Sequence, residues 1–275
     1  SLSMLDSYAV IGNPISHSKS PLIHAAFAQQ TQQSMQYDAI LAPLDGFQTT
    51  VTHFRQQGGK GLNVTVPFKL EAYQLATRLT ERATIAQAVN TLKFENQEIL
   101  GDNTDGAGLV RDIELNLGIP IANKRILLMG AGGAARGVIL PLLQQKPSIL
   151  AIANRTRQKA EALQQQFMAH GNTVAGDFTS FSDQQFDIVI NATSASLHDA
   201  LPDLPAHVFA NNALAYDMMY SHEPTRFLKF AYDNGVRHLA DGIGMLVEQA
   251  AESFFLWRGV RPQTKPVIAL LKTKI

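Results

Sequence analysis

The chain contains no cysteine among its 275 residues. That excludes disulfide staples, thiolate nucleophiles, and zinc or iron–sulfur centres held by cysteine. Net charge is missing too: 23 Lys plus Arg stand against 23 Asp plus Glu, for +0 with histidine neutral. No overall field draws such a molecule to nucleic acid or to an anionic membrane. No apolar run approaches the ~18 residues of a membrane span. No basic segment followed by an apolar core opens the chain, so no signal peptide is expected. Repeats and low-complexity tracts are absent. The 8 histidines form no His-Glu-x-x-His pair, and no metal is expected. Ser1-Leu2-Ser3 ahead of Met4 reads as a foreign leader and is left out of the fold reasoning. These absences make a soluble, cytoplasmic protein the expectation, with a homodimer left open.

What is present is ordinary globular composition, 45% hydrophobic and 17% charged. At ~150 residues per domain the length suggests two domains. Short apolar runs alternate with helical periodicity, which predicts an α/β fold. Strands are expected at Ser7–Ile11, Tyr37–Leu41 and Gly61–Val66, with a hairpin of Val89–Glu95 and Glu98–Gly101 around Asn96-Gln97. A helix is expected from Ser20 as N-cap and Pro21 as first helical residue. A second is expected from Pro67, carrying Lys69, Leu70, Tyr73 and Leu75. A third carries Leu109, Val110, Ile113 and Leu117 and stops at Gly118. Arg125–Met129, Ser148–Ala153, Phe186–Ile190, Ala213–Met218 and Val236–Leu239 read as strands. Thr156–Ala169, Pro224–Asn234 and Gly242–Trp257 read as helices. The expected division is 1–104 with 240–275 as one discontinuous α/β domain, and 105–239 as a doubly wound Rossmann-type domain.

Gly130-x-Gly132-x-x-Ala135 falls between a strand and a helix, inside a βαβ unit of suitable length. Gly130 permits the tight turn, Gly132 lets the backbone approach a pyrophosphate, and Ala135 allows close helix–strand contact. The helix N-terminus then offers free N–H groups to the phosphates. After the second strand comes Asn154-Arg155-Thr156, with Lys159 one turn on. A carboxylate there would bind the ribose 2′-hydroxyl and repel a 2′-phosphate. A cationic pocket instead favours NADP over NAD.

Three clusters in the first half are not required by core formation. Ser16 and Ser18 lie in a polar loop entering a helix N-terminus, two hydroxyls beside free N–H groups that suit a carboxylate. Asn63-Val64-Thr65-Val66-Pro67-Phe68-Lys69 delivers a lysine to a first helical turn, where the helix dipole disfavours it. Asn103-Thr104-Asp105-Gly106 stands where the chain is expected to leave the first domain, at a cleft.

With these residues on view, the sequence closely resembles the shikimate dehydrogenases from Tyr8 to Gly259. The resemblance rests on Gly12-Asn13-Pro14 with Ser16 and Ser18-x-Ser20-Pro21, on the Asn63–Lys69 run, and on Ala88-Val89-Asn90-Thr91. It continues through Gly101-x-Asn103-Thr104-Asp105, Gly130-Ala131-Gly132-Gly133-Ala134, Asn154-Arg155-Thr156 and Asn191-Ala192-Thr193-Ser194. Tyr216-Asp217-Met218-x-Tyr220 and Gly242-x-Gly244-Met245-Leu246-Val247-x-Gln249-Ala250-Ala251 complete it. The family implies NADPH-dependent reduction of 3-dehydroshikimate to shikimate in aromatic amino-acid biosynthesis. It implies that Ser16 and Ser18, helped by Tyr220, hold the substrate carboxylate. Asn63, Thr65, Asn90, Asp105 and Gln249 would bind the ring hydroxyls, and Lys69 with Asp105 would form the catalytic pair. Gly130, Ala131, Gly132, Gly133, Ala134 and Thr193 would face the cofactor. Asn154, Arg155, Thr156 and Lys159 would surround its 2′-phosphate, and Met218 and Gly242 would lie near the nicotinamide. His17 is expected to fill its loop.

The departures are Ala25, Gly137, Ser196 and Lys159, the last giving charge without the two-pronged geometry of an arginine. Two other readings stay open: a dual quinate/shikimate dehydrogenase that accepts NAD, and a non-catalytic sensing module of the same fold. Lys69 and Asp105 both being present weighs against the sensor.

Overall fold

The computed structural model describes residues 5–194 and 203–274; Ser196 falls outside them. The chain divides into two compact units. One comprises Ser1–Gly108 and Val247–Leu270, the other Leu109–Leu246 and Leu271–Ile275.

The first unit is built on a six-stranded sheet. In chain order its elements are β1 (Asp6–Gly12), α1 (Ser20–Thr31), β2 (Met35–Leu41), α2 (Phe47–Gln56), β3 (Gly59–Val64) and α3 (Lys69–Leu75). They continue with β4 (Arg78–Leu79), α4 (Glu81–Ala86), β5 (Thr91–Glu95), β6 (Glu98–Asp102) and α5 (Asp105–Arg111). The strand order is β2-β1-β3-β5-β6-β4. β1 runs parallel to β2 and β3, whereas β5 pairs antiparallel with β3 and β6. The β5–β6 hairpin turns at Asn96, whose φ of 53° is one that asparagine tolerates. The core places Ile11, Phe47, Leu62, Phe68 and Leu92 together, all at or below 2% exposure. Each such side chain contributes roughly 1.5–3 kcal/mol over an exposed one. Phe47 and Phe68 stack with centroids 5.0 Å apart, joining α2 to the start of α3.

Two expected boundaries move. The first helix takes Ser20 as its first residue, with Lys19 at the cap position, and Ser18 Oγ accepts the Ser20 N–H at 3.2 Å. The capping oxygen therefore comes from two residues upstream of Ser20, not from Ser20 itself. The second helix begins at Lys69, since Pro67 belongs to a turn closed by Phe68 N–H on the Thr65 carbonyl.

The second unit holds β7 (Arg125–Met129), α6 (Gly133–Gln144), β8 (Ile149–Ala153), α7 (Arg157–Phe167), β9 (Thr173–Gly176) and β10 (Phe186–Asn191). β11 (Phe209–Asp217), α8 (Arg226–Asp233) and β12 (His238–Ala240) follow. α9 (Ile243–Arg258) starts in this unit and ends in the first; α10 (Lys265–Lys274) follows it. The sheet is parallel throughout, in the order β12-β11-β10-β7-β8-β9. Counted from β7, that is the doubly wound order of dinucleotide-binding folds, and it reverses between β7 and β10. Leu127, Ala151, Phe186, Val189 and Phe227 lie in its core.

The helix expected to run through Leu117 is not one regular helix. α5 ends at Arg111 and a π-helical turn, Asp112–Asn116, follows, before Gly118 at φ 70° closes it. The turn holds the buried Asp112 carboxylate where Tyr216 donates its hydroxyl to Oδ2 at 2.6 Å. A side chain at Gly244 would collide with that carboxylate.

Candidate active site

Gly12 ends β1, and a Cβ there would run into the Thr65 methyl. Its bareness lets the loop after β1 and the loop after β3 lie side by side, with Asn13 N–H on the Val66 carbonyl at 3.1 Å. These loops carry Ser16, Ser18 and Thr65. Ser16 is exposed, and Ser18 and Thr65 are half-buried. His17 is exposed, so it does not fill its loop; the turn closed by Ser18 N–H on the Ile15 carbonyl at 3.1 Å leaves it outside.

Lys69 opens α3 and Asp105 opens α5. Their side chains meet, with Lys69 Nζ donating to Asp105 Oδ2 at 2.7 Å. Side-chain exposures of 17% and 9% make this a half-buried pair that still reaches solvent. Asp105 Oδ1 accepts from Asn90 Nδ2 at 3.0 Å. Asn90 Nδ2 also lies 2.8 Å from Thr104 Oγ1 and 3.2 Å from Gln249 Oε1, so one amide nitrogen links three other polar side chains. Asn90 Oδ1 accepts the Thr104 N–H at 2.8 Å, which fixes which end of the amide faces Asp105.

Behind this row lies a second, fully buried one that the sequence does not announce. The Ser253 hydroxyl, on α9, sits 2.8 Å from Thr91 Oγ1 and 3.1 Å from Thr104 Oγ1. It also accepts from Asn63 Nδ2 at 3.1 Å. Asn63, expected to face substrate hydroxyls, is 6% exposed; its Oδ1 accepts the Tyr37 hydroxyl at 2.6 Å and its Nδ2 also lies 3.3 Å from Thr91 Oγ1. Tyr37 in turn stacks on the fully buried His24, with centroids 4.2 Å apart and planes within 8°. Periodicity finds none of these contacts, because the partners lie up to 190 residues apart in sequence.

In the second unit, the glycine loop sits where the strand order reverses. Gly130 has φ 116°, and a Cβ there would lie 3.1 Å from the Ala192 carbonyl, so the loops after β7 and β10 press together. Gly132 and Gly133 differ: a Cβ on either would meet nothing within 4 Å. α6 starts there with no side-chain cap and no acidic residue in its first turn. Ala131 and Ala134 line the same entry, half-buried. Open space before uncapped N–H groups fits a pyrophosphate. Beyond β8, Asn154 Nδ2 donates to the Thr156 carbonyl at 3.1 Å and shapes the turn that presents Arg155, Thr156 and Lys159 to solvent. Arg157, between them, is taken by Glu161 at 2.8 Å. The Thr193 hydroxyl donates to Asn191 Oδ1 at 2.7 Å at the end of β10. Met218 and Gly242 are brought together, since a Cβ on Gly242 would overlap the Met218 carbonyl oxygen. Tyr220 is half-buried; burial raises its phenol pKa, and Asp241 raises it further. No cluster of metal-ligating side chains occurs among the described residues, and none of their helices is long and apolar enough to cross a membrane.

Comparison with known proteins agrees with both halves. A model of the shikimate dehydrogenase substrate-binding domain matches residues 10–92, and one of the shikimate/quinate 5-dehydrogenases matches residues 114–200. A third, of the shikimate 5′-dehydrogenase C-terminal domain, matches residues 242–272. A protein of Nitrosomonas eutropha named shikimate dehydrogenase (NADP(+)) is 65% identical over 272 residues, 98% of each chain. The chain belongs to the shikimate dehydrogenase family. Among solved structures, an Ael1 enzyme from Pseudomonas putida is 54% identical, with a TM-score of 0.91 over 97% of this chain and 98% of that one. A shikimate 5-dehydrogenase from Thermus thermophilus, solved in complex with NADP(H) and shikimate, is 30% identical. Its TM-score is 0.87 over 99% of this chain and 100% of that one. The two-sheet α/β architecture is therefore that of the shikimate dehydrogenases.

Proposed function

We propose that this chain is an NADP-dependent oxidoreductase that interconverts 3-dehydroshikimate and shikimate, a step of aromatic amino-acid biosynthesis. The observation that carries the reading is the Lys69–Asp105 pair at 2.7 Å, beside the Asn90–Gln249 row, in a chain 65% identical to a named shikimate dehydrogenase (NADP(+)). Both reactants are small polar molecules, and this reading puts the chain in the cytoplasm.

Ser16 and Ser18 take the substrate carboxylate. The Ser18 oxygen already accepts the Ser20 N–H, which leaves its own proton free to donate. Thr65, Asn90, Asp105 and Gln249 hold the ring hydroxyls, with Asp105 and Gln249 both fixed in advance by the Asn90 amide. In the reductive direction, Lys69 offers an ammonium to the carbonyl oxygen, stabilises the negative charge that develops there, and delivers the proton. In the oxidative direction it receives that proton. Asp105 holds Lys69 in place and accepts from a neighbouring hydroxyl. Bound NADP(H) supplies or accepts the hydride. The N–H groups at Gly132, Gly133 and Ala134 receive its pyrophosphate, with Gly130 and Ala131 forming the turn. Asn154, Arg155, Thr156 and Lys159 receive the 2′-phosphate. Thr193, Met218 and Gly242 face the remainder.

Incubation of the protein with shikimate and NADP⁺, with the product identified by NMR, tests the reading. Formation of 3-dehydroshikimate supports it. A folded protein that binds NADP⁺ yet leaves shikimate unchanged would favour the sensing module instead.

A further inference from the structure

Asp105 opens a helix at the end of a strand, and a carboxylate in that position could swing freely. Here the backbone leading to it is held at three successive amides by side-chain oxygens. Asn103 N–H donates to Asp102 Oδ1 at 2.8 Å, Thr104 N–H to Asn90 Oδ1 at 2.8 Å, and Asp105 N–H to Asn103 Oδ1 at 3.1 Å. The Asn103 amide is itself fixed by donation to the Ala88 carbonyl at 3.1 Å.

The anchor of this series is Asp102, at 1% exposure. Its carboxylate takes a two-pronged bond from Arg82, Nε to Oδ1 and Nη2 to Oδ2, each 2.7 Å. The Thr80 hydroxyl adds a third bond to Oδ1 at 2.7 Å. Burial alone would raise the Asp102 pKa; Arg82 and Thr80 outweigh it and keep the carboxyl charged. Arg82 Nη2 also lies 3.5 Å from Glu252 Oε1 on α9, the helix that carries Gln249 and Ser253. A single guanidinium thus touches both the strand end that leads to Asp105 and the helix that carries Gln249.

We propose that Arg82 is a positioning residue of the reaction: through its two-pronged bond to Asp102 it sets the backbone of residues 102–105, and so the place of Asp105 against Lys69. Neither Arg82 nor Asp102 touches substrate in this account, and the proposal rests on the shikimate dehydrogenase reading above. A lysine cannot reproduce the planar fork, so Arg82→Lys keeps the charge and loses the geometry.

The test compares wild type, Arg82→Lys and Arg78→Ala. Arg78 makes a solvent-exposed pair with Glu98 at 3.4 Å and serves as the neighbouring control. The expected result for Arg82→Lys is a kcat with shikimate lowered about 10- to 100-fold, with KM for NADP⁺ held within about twofold. Arg78→Ala keeps wild-type kcat. Hydrogen exchange at the amides of Asn103, Thr104 and Asp105 quickens in Arg82→Lys, while exchange elsewhere in the sheet is unchanged. Unaltered kcat together with unaltered exchange at these amides overturns the proposal, even if the melting temperature drops, because Arg82 is then structural only. If Arg82→Lys does not fold, Asp102→Asn, which weakens the same fork from its other side, is read in the same way. If the wild type does not oxidise shikimate, the functional reading falls, and exchange at the three amides still decides whether Arg82 sets this backbone.

Discussion

Lys69 Nζ and Asp105 Oδ2 lie 2.7 Å apart, although 36 residues separate them and each opens a different helix. Lys69→Ala removes the proton carrier and the charge that faces the reacting oxygen. General acid–base catalysis contributes about 10²- to 10⁴-fold, and kcat is expected to fall within that range while KM for shikimate changes little. Steady-state kinetics in both directions check this. A rise in KM alone would make Lys69 a binding residue only.

Arg155 is exposed and stands at the turn after β8. A charge-assisted hydrogen bond contributes ~1.5–3 kcal/mol, or about 10- to 150-fold. Arg155→Ala is therefore expected to lower kcat/KM for NADP⁺ by such a factor and to leave kcat/KM for NAD⁺ unchanged. Equal losses with both cofactors would remove Arg155 from the 2′-phosphate.

The glycines of the loop after β7 separate into two kinds. Gly130→Ala strains a φ of 116° and presses on the Ala192 carbonyl, so it lowers the melting temperature. Gly132→Val enters open space, so it leaves the melting temperature nearly unchanged and weakens NADP⁺ binding. Calorimetric melting alongside a cofactor titration distinguishes the two, and a large stability loss in Gly132→Val would contradict the assignment.

His24 is fully buried, and burial pushes its pKa from 6.5 down to about 3. Tyr37, Phe27, Phe254 and Trp257 surround the ring, and neither ring nitrogen has a hydrogen-bond partner among the described residues. The unfolded chain takes up a proton at this histidine below about pH 6.5, and the folded chain does not until near pH 3. Stability from this group is thus complete above the unfolded value and is lost as pH falls, at about 1.4 kcal/mol per unit. Between about pH 7 and about pH 5, His24→Leu should lose about 2 kcal/mol less than wild type in chemical denaturation. Parallel losses in both proteins would contradict a neutral, buried His24.

Much of this fold is legible in the chain itself. β7, the glycine loop and α6 announce themselves because an apolar run, a glycine turn and helical periodicity coincide within a few residues. α2 escapes notice because Thr49, Thr50, Val51 and Thr52 are poor helix formers, and only Phe47 and Val51 are buried to mark a face. α4 has six residues, too few for a period; its one signal is Thr80, whose hydroxyl accepts the Ala83 N–H at 3.3 Å. The exposed Ser16, Arg155 and Lys159 and the half-buried Lys69 are visible as motifs. What fixes the site is not: Arg82 with Asp102, Tyr37 with Asn63 and Ser253 with Thr91 are pairs made by topology, with no local pattern to betray them.

The most direct measurement follows near-ultraviolet absorbance growth in four mixtures, shikimate or quinate with NADP⁺ or NAD⁺. Fast reduction of NADP⁺ by shikimate, far above the other three, is the predicted result. Comparable turnover with quinate or NAD⁺ would contradict the cofactor and substrate assignment, and no turnover in any mixture by folded, cofactor-binding protein would contradict the account as a whole.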